Sequence, residues 1–408
     1  MRVLYLSPRE CWPPNSGAKL RDYHLARALG QDGDLTYVYF GREQTVAEAA
    51  RNMPFATTAI AVPPPNTYTP GKILRGLFGR NPLPVENYTS NEMTARLGGL
   101  LQTRQFDVVH IDIIHLHAYI SVIRKRTPNV PIMLNWHNIE SEAMFRYAVT
   151  GTGRLRRLYA RLTARRLQRL ERRALKTYFG HVVCSRREER ELRRTNGSAR
   201  IATIENGVDT RYFAAQTGSR SRKRLLFVGL MSYYANVDGI RWFVREIWPG
   251  LRARFPELLL TVVGANPNAA VLALRSEPGV EVTGTVADVR PFYAEAFAAI
   301  VPLRTGGGTR LKILEAMAAG VPVVSTRLGA EGLAVADKVN ILFAEDNASW
   351  AGGIQKLRDS PYRDELTRNA RELVRSQYDW DIIGRKLLAT YREWLAQKCP
   401  DESVCHDK

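Results

Sequence analysis

The alternation of short apolar runs with helical segments restricts the fold of this chain most strongly. Runs such as Arg2 to Ser7 and Leu225 to Gly229 have the length and composition of buried strands. Strands that alternate with helices form parallel sheets in which the helices are the crossovers. The alternation stops once, at the polar residues 209–224, and then starts again. We therefore predict an α/β protein with two parallel-sheet domains.

The expected strands each end in a glycine or a polar loop. They are residues 2–7, 35–40, 107–111, 132–136, 181–185, 225–229, 258–264, 280–284, 298–302, 321–325 and 340–343. The predicted organisation is a first domain (1–208), a linker (209–224), a second domain (225–379), a C-terminal helix (380–398) and a tail (399–408). Ligands of such sheets bind where the strands end.

The positive charge of the chain is concentrated in one segment. The 408 residues carry a formal net charge of +19, and nine arginines, one lysine and one glutamate lie between Arg154 and Lys176. Apolar residues keep helical spacing there, which predicts a basic amphipathic helix. It would contact an anionic membrane surface, be solvated, or contact nucleic acid. Because no nucleic-acid-binding module accompanies the charge, we predict no nucleic acid partner.

Other features predict a cytoplasmic protein, with peripheral attachment to the inner face of the membrane if the basic helix binds lipid. No run of 18 apolar residues occurs, and the start of the chain is too short for a signal peptide. The four cysteines have no CxxC spacing, which favours free thiols. A metal cluster of Cys399, Cys405 and His406 is a weaker alternative.

A glycine-rich loop before a helix is the strongest functional pattern. Gly306 to Gly308 follow an expected strand, and Thr309 is placed to cap the next helix. A helix N-terminus favours phosphate, and Arg310 and Lys312 add two cations. Glu315, one turn further on, can accept two hydroxyl hydrogen bonds from a ribose. The pattern predicts a nucleotide site; the alternative is an ordinary strand–loop–helix with solvated charges.

Seven short motifs occur in a characteristic order along the chain. They are Pro14-Asn-Ser-Gly17, Asp107-Val-Val-His110, His137-Asn-Ile-Glu140, Glu205-Asn-Gly-Val-Asp209, Phe227-Val-Gly229, Gly284-Thr-Val-Ala-Asp-Val-Arg290 and Lys312-Ile-Leu-Glu-Ala-Met317. With them the chain resembles, over nearly its whole length, the retaining glycosyltransferases of family four. That family has the GT-B fold of two facing Rossmann-like domains, and the resemblance implies that the last helix (380–398) packs back on the first domain.

The resemblance implies transfer of a sugar from a nucleoside diphosphate sugar to a glycan, lipid-linked or other hydroxyl acceptor, as in polysaccharide biosynthesis. The donor would bind mainly to the second domain and the acceptor to the first. By motif matching, Glu315 holds the donor ribose, Val286 offers backbone contacts to the base, and Gly17 brings its N–H toward the diphosphate. His137 lies beside the transferred sugar, as a base or as a hydrogen-bonding group only.

Three positions depart from the family pattern. Gly307 stands where the family often has a first glutamate, and Leu230 and Asn236 stand where it usually has arginine and lysine. We infer that Arg310 and Lys312 replace the missing cations. We therefore predict a catalytic role for both of them and for His137.

No cofactor and no metal are expected, with the nucleotide sugar as a co-substrate. Fixed cations suffice for the leaving diphosphate, and no Asp-x-Asp pair lies in a suitable loop. A metal site of His110, His115 and His117 is a weaker alternative. Lys19 and Arg21 would contact an anionic acceptor or lie on a solvated helix face. An epimerase or phosphorylase of the same fold, or a degenerate member that only binds a membrane or partner, are the alternative functions.

Overall fold

The computed structural model describes residues 1–150, 153–214, 223–306 and 310–397. The chain forms two compact units. One consists of Met1–Glu205 together with the chain from Gly384 onward, and the other consists of Asn206–Ile383. Each unit is a parallel sheet with helical crossovers, which confirms the predicted α/β class.

The first unit is built on a seven-stranded parallel sheet in the order β3-β2-β1-β4-β5-β6-β7. Its strands are β1 (Arg2–Ser7), β2 (Asp34–Phe40), β3 (Thr58–Val62), β4 (Val108–Asp112), β5 (Ile132–Asn135), β6 (Gly180–Val183) and β7 (Ile201–Thr203). The sequence does not predict β3 or β7. Strand β3 is a half-buried edge strand, and β7 has only three residues, so neither presents a continuous buried run.

Helices cover the faces of this sheet. They are α1 (Gly17–Gln31), α2 (Val46–Asn52), α3 (Pro70–Phe78), α4 (Leu83–Asn87), α5 (Asn91–Thr103), α6 (Ile120–Arg126), α7 (Glu140–Thr150), α8 (Arg154–Thr177) and α9 (Arg186–Thr195), with a 3-10 turn at Ile114–Tyr119. Helix α1 begins at Gly17, because the Ser16 side chain caps it by accepting from the backbone N–H of Lys19. Helix α8 confirms the predicted basic helix.

The second unit is built on a six-stranded parallel sheet in the order β10-β9-β8-β11-β12-β13. Its strands are β8 (Arg224–Val228), β9 (Leu259–Val263), β10 (Val280–Gly284), β11 (Ala298–Val301), β12 (Val323–Ser325) and β13 (Leu342–Phe343). All six match strands that the sequence predicts, within a few residues at each end.

The helices after residue 206 continue the same alternation, and the last of them, α18, belongs to the first unit from Gly384 onward. They are α10 (Thr210–Ala214), α11 (Tyr234–Trp242), α12 (Trp248–Arg254), α13 (Ala269–Leu272), α14 (Arg290–Glu295), α15 (Leu311–Ala318), α16 (Asn347–Leu357), α17 (Ser360–Leu373) and α18 (Trp380–Ala396), with 3-10 turns at Ala273–Ser276 and Leu328–Ala330 and π turns at Phe243–Ile247 and Val374–Tyr378. The π turn between α11 and α12 precedes Pro249, which lacks the N–H that a regular helix needs. Helix α10 lies inside the predicted linker, whose residues 215–222 are outside the described part.

No helix in the described ranges combines the length and the apolarity that crossing a bilayer requires. Cys11 and Cys184 are free and buried, as the cysteine spacing predicts. The predicted tail, with Cys399, Cys405 and His406, lies outside the described residues.

Helix α18 completes the core of the first unit from residue 384 onward. The hydroxyl of Tyr391 lies 2.7 Å from Nδ1 of the buried His110 in β4. Trp394 packs directly on Gly180 in β6, where a β-carbon would lie 2.6 Å from Trp394 Cε3 and 2.9 Å from Met133 Sδ. Only glycine leaves room for this ring, since real β-carbons do not approach so closely.

We predict that Gly180→Ala lowers the free energy of unfolding by about 1–3 kcal/mol, because the added methyl must displace the Trp394 ring. Urea unfolding measures the change as a lower transition midpoint. The matched control is Gly352→Ala in α16, where no atom lies within 4 Å of the added carbon. The control should match or slightly exceed the wild-type midpoint. Equal midpoints for both variants would contradict the packing described for α18.

Candidate functional site

In both sheets the chain order reverses once, and the polar side chains of interest lie beside those reversals. The first sheet reverses between β1 and β4, and the second reverses between β8 and β11. Connections that leave two adjacent strands toward opposite sides open a crevice at the carboxyl ends, where open α/β sheets bind ligands. One polar cluster occupies this position in each unit.

His137 is the centre of the cluster in the first unit. Its Nε2 lies 2.9 Å from Asp112 Oδ1 and 3.2 Å from Asp22 Oδ1. His137 follows β5, Asp112 ends β4 and Asp22 belongs to α1, and both carboxylates are fully buried. Arg9 adds a positive charge, with Nη1 3.7 Å from Asp22 Oδ2. Segments that leave three different strands thus meet at one imidazole.

Arg21 fixes the strand ends around this cluster. Its guanidinium is 1% exposed and donates to Asn135 Oδ1 and to Ile204 O, each at 2.8 Å. Asn135 in turn donates from Nδ2 to Asp112 Oδ1 at 2.6 Å. A buried guanidinium requires such acceptors. Both interpretations of Arg21, as a ligand of an anionic sugar acceptor and as a solvated residue on a helix face, are therefore wrong. Its side chain is enclosed by the unit's own polar groups.

The cluster keeps His137 protonated. Burial lowers the pKa of His137, but the charges and hydrogen bonds of Asp112 and Asp22 outweigh burial and raise that pKa to about 9. Burial and the charge of Asp112 raise the pKa of Asp22 to about 6. Burial opposes ionisation of Asp112, but the charge of His137 prevails and holds the pKa of Asp112 below its usual range. At neutral pH His137 is a hydrogen-bond donor with no free site for a proton, which argues against its role as a base.

The other three histidines of this region do not share a ligand position. Each contacts its own aromatic ring: His110 with Tyr391, His115 with Tyr88 and His117 with Tyr178. Among the residues that the structure describes, the His137 cluster alone has the spacing of metal ligands. There the imidazolium already lies between the two carboxylates and Arg9 adds a second positive charge, so a metal would have to displace a strongly held proton.

Helix α15 carries the cluster of the second unit. The Nζ of Lys312 donates to Asn236 Oδ1 at 2.7 Å and lies 4.3 Å from the ring centre of Phe227. Phe227 belongs to β8, and Asn236 belongs to α11, the helix that follows β8. Lys312 therefore reaches from the helix after β11 to the end of β8. Its ammonium lies beside Asn236, the position at which the resemblance leads us to expect a lysine.

Glu315 lies one turn further along α15. Its Oε2 accepts a hydrogen bond from the hydroxyl of Tyr293 at 3.0 Å. Burial raises the pKa of Glu315 and lowers the pKa of Lys312 to about 7. A carboxylate held by one phenol retains acceptor positions for further hydroxyl groups. The helix thus presents one cation and one acceptor one turn apart.

Arg310 precedes α15 as its N-cap residue, without a side-chain capping bond. Its buried guanidinium donates from Nη2 to Gly306 O at 3.1 Å and to Leu328 O at 3.3 Å. These bonds tie it to the backbone on two sides of the helix start. Thr309, predicted as the cap and as a nucleotide-sugar ligand, lies outside the described residues together with Gly307 and Gly308.

The remaining predicted ligands lie at other strand ends. Gly17 is the first residue of α1, so its N–H is one of the donors that a helix leaves unpaired. Val286 lies in the turn after β10 and packs partly on the core. Gly17 and His137 belong to the first unit, and Val286, Arg310, Lys312 and Glu315 belong to the second.

Two family models match the chain in succession. The model described as Glycosyltransferase Family 4 matches residues 17–212, and the model described as Glycosyl transferases group 1 matches residues 222–360. The chain belongs to glycosyltransferase family four. The match includes both clusters, since His137 lies in the first matched region and α15 in the second.

Named relatives of this glycosyltransferase resemble it at moderate identity. The D-inositol 3-phosphate glycosyltransferase of Acidothermus cellulolyticus is 30% identical over 49% of this chain and 49% of that protein. The glycogen synthase of Mycobacterium tuberculosis is 29% identical over 50% of each. These two matches thus span about half the relatives' own length. A D-inositol 3-phosphate glycosyltransferase of Salinispora tropica is 25% identical over 90% of this chain and 82% of its own.

Solved structures share the fold of this glycosyltransferase. A sucrose-phosphate synthase from Thermosynechococcus elongatus has a TM-score of 0.68 at 19% identity and covers 97% of this chain and 100% of its own. HepE of Anabaena, crystallised with UDP and glucose, has a TM-score of 0.64 at 14% identity and covers 96% and 99%. These likenesses, with the two Rossmann-like sheets, confirm the GT-B fold class.

The sequence alone does not identify the partners of the predicted site residues. Asp22 escapes notice although it shares a face of α1 with Leu25 and Leu29, and a carboxylate in such an apolar row is a recognisable sign of a buried function. Asp112 gives a similar sign as a charged residue at the end of a buried strand. Tyr293 gives no sign, because its hydroxyl meets Glu315 only through the fold.

We predict that the stability of this glycosyltransferase depends on the charge of His137. Its folded pKa, about 9, exceeds the ordinary 6.5, so its stabilisation is full below pH 6.5 and disappears as the pH rises through 9. Relative to His137→Gln, the wild-type free energy of unfolding should therefore fall by about 2–3 kcal/mol across that window.

The difference between wild type and variant is the quantity to measure, by urea unfolding at several pH values. Lys312 titrates in the same window with the opposite sign, because its pKa is lowered to about 7, and subtraction removes it. A difference that does not change with pH would contradict the imidazolium.

Proposed function

We propose that this glycosyltransferase moves a sugar from a nucleoside diphosphate sugar to a hydroxyl acceptor, with retention of the anomeric configuration and without a metal. One observation supports the proposal most: α15 presents Lys312 and Glu315 one turn apart beside a strand reversal. UDP is the first candidate nucleotide. HepE of Anabaena was crystallised with UDP-glucose, and an E. coli protein named for trehalose-6-phosphate was crystallised with UDP-2-fluoro glucose.

The donor would bind to the second unit. Glu315 accepts from the ribose hydroxyls while Tyr293 holds the carboxylate in place. Lys312 contacts the diphosphate from its position beside Asn236, and Arg310 adds positive charge at the helix start. The resemblance predicts further donor contacts from Thr309, from the backbone at Val286 and from the N–H of Gly17.

Breaking the bond between sugar and diphosphate builds negative charge on the leaving group. Fixed donors aimed at that charge strengthen in the transition state, and losing one typically reduces the rate by about 10²–10³. Lys312 is suited to this role, because its partly buried ammonium, with a pKa of about 7, gains most from an approaching anion. These groups provide the stabilisation that a metal provides in other transferases.

The acceptor hydroxyl would attack from the face that the diphosphate leaves, and a diphosphate oxygen would take its proton. This route needs no protein base. His137 would then donate a hydrogen bond to the transferred sugar, since Asp22 and Asp112 keep its imidazole protonated. The positive charge of His137 would stabilise the negative charge that develops on the leaving diphosphate, and its hydrogen bond would orient a hydroxyl of the transferred sugar.

The acceptor would be a glycan or lipid-linked hydroxyl compound that binds to the first unit. An anionic membrane surface is the proposed partner of α8, whose arginines are mostly exposed. Each basic residue near such a surface contributes roughly 1 kcal/mol to binding. The enzyme would then work at the inner face of the membrane.

We predict that UDP raises the melting temperature of the protein, in proportion to the logarithm of its concentration above the dissociation constant. A thermal-shift screen of UDP, GDP and their sugars measures this rise in melting temperature and selects the donor class.

The activity test then follows the anomeric configuration of the product by NMR. No response to any nucleotide would overturn the proposal, and an inverted product would overturn retention.

Two variants separate the roles of Lys312 and Glu315. Glu315→Gln should weaken binding of both uridine and UDP by about 10–100-fold, because the charged acceptor of the ribose is lost. Lys312→Met should weaken the binding of UDP to a similar extent and leave the binding of uridine unchanged, because Lys312 contacts only phosphate. Calorimetric titration measures both, with Lys356→Met on the exposed face of α16 as the control. Loss of uridine binding in Lys312→Met would contradict the assignment.

A further inference from the structure

Helix α3 differs from an ordinary surface helix, because it buries a polar side chain and exposes its apolar ones. Its polar residue Lys72 is buried, and its Nζ donates to Asn87 O at 3.2 Å and to Thr89 O at 2.9 Å. Its apolar side chains point to solvent instead, and Phe78 is 82% exposed and Leu74 is 58% exposed. Burying such side chains would normally stabilise the fold, so their exposure requires a reason.

The apolar face of α3 is fixed rather than frayed. Arg75 Nε pairs with Glu86 Oε2 at 3.0 Å, and Gly76 packs so closely on α4 that a β-carbon would lie 2.6 Å from Leu83 Cβ. The Thr69 side chain caps the helix, and Pro70 occupies its first turn. The outward orientation of Leu74 and Phe78 is therefore built into the fold.

The first turns of α8 present a second apolar row. Leu155, Leu158 and Leu162 are exposed, and their spacing places them on one face of the helix. Arg166, one turn beyond Leu162 on that face, donates from Nη1 to Leu77 O at 2.9 Å and from Nη2 to the backbone oxygen of Gly79 at the end of α3. The two apolar rows thus belong to one region of the first unit.

The exposed side chains around this region carry positive charge, and the nearby carboxylate of Glu86 is buried and pairs with Arg75. Arginines Arg75, Arg80, Arg154, Arg157, Arg161 and Arg165 are exposed on α3, just after it, and on α8. The one acid in the described residues of α8, Glu171, is buried and accepts from the Ser141 backbone N–H at 3.0 Å. Long basic side chains that flank exposed apolar residues are typical of surfaces that lie in a lipid interface.

We propose that α3 and the first half of α8 form one membrane-inserting surface, which we call the apolar surface: Leu74, Leu77, Phe78, Leu155, Leu158 and Leu162. Its occupant is a bilayer that contains anionic lipid. This rests on the proposed membrane partner of α8 and deepens it, because α3 supplies the insertion and the arginines supply the attraction. Attraction alone is screened by salt, whereas buried apolar area is not.

A series of contacts runs from α3 to the segment that begins at His137. Lys72 fixes Asn87, and the next residue, Tyr88, stacks on His115 with ring centres 5.5 Å apart. His115 Nε2 lies 3.8 Å from an oxygen of Glu140, three residues after His137. A bilayer at the apolar surface would therefore lie on the part of the unit that leads to His137, which favours a lipid-linked acceptor.

The test is co-sedimentation of the full chain with vesicles of phosphatidylcholine, with and without phosphatidylglycerol, at low and high salt. We expect wild type to bind the anionic vesicles and to retain part of that binding at high salt. The double variant Leu74→Ser/Phe78→Ser should lose the salt-resistant part, with affinity at least about tenfold weaker. The control Val339→Ser removes an exposed apolar side chain of the second unit and should bind as wild type does.

Each other outcome decides against the proposal. Equal binding of the double variant and wild type would show that α3 does not insert. If the wild type binds neither kind of vesicle, the proposed membrane-inserting surface is wrong. Light scattering would then show whether the apolar surface mediates self-association instead, which the same double variant would abolish. The UDP thermal shift of each variant separates this result from the proposed catalysis, because Leu74 and Phe78 lie outside the donor cluster and should leave the shift unchanged.

Discussion

A charged group that leaves water must find compensating partners, and both candidate sites of this protein are built on that constraint. In the first unit two fully buried carboxylates, which repel each other, are held together by His137, which lies between them as an imidazolium. Arg21 and Asn135 extend the compensation into the strand ends. The position of His137 is therefore determined by electrostatics as much as by the backbone, and its proton is held in place by the same contacts.

The second unit meets the same constraint with a looser arrangement. Lys312 has a neutral amide and an aromatic ring as neighbours, and Glu315 has a phenol. Neither charge is fully compensated, as the lowered pKa of Lys312 and the raised pKa of Glu315 indicate. A site that leaves a cation and an acceptor undersatisfied is prepared for a ligand that carries both an anion and hydroxyl groups. A nucleoside diphosphate has this combination.

The sequence predicts the fold well because long apolar runs determine the sheets. The α/β class, eleven of the strands and the basic helix α8 follow from periodicity, whereas β3 and β7 are too polar or too short to be recognised. The positions of Lys312 and Glu315 follow from helical spacing. Their partners Asn236 and Tyr293 do not, because they come from distant segments. The burial of Arg21 does not follow from the sequence, since it depends on acceptors, such as Ile204 O, that only the tertiary structure supplies.

We propose that α15 binds a nucleoside diphosphate through Lys312 and Glu315. A crystal structure of the protein with UDP tests this proposal most directly. In that complex we expect both ribose hydroxyls to lie within hydrogen-bond distance of Glu315, and a phosphate oxygen to lie within hydrogen-bond distance of the Lys312 Nζ. A nucleotide bound elsewhere, or a Lys312 that keeps Asn236 as its partner and contacts no phosphate, would contradict it.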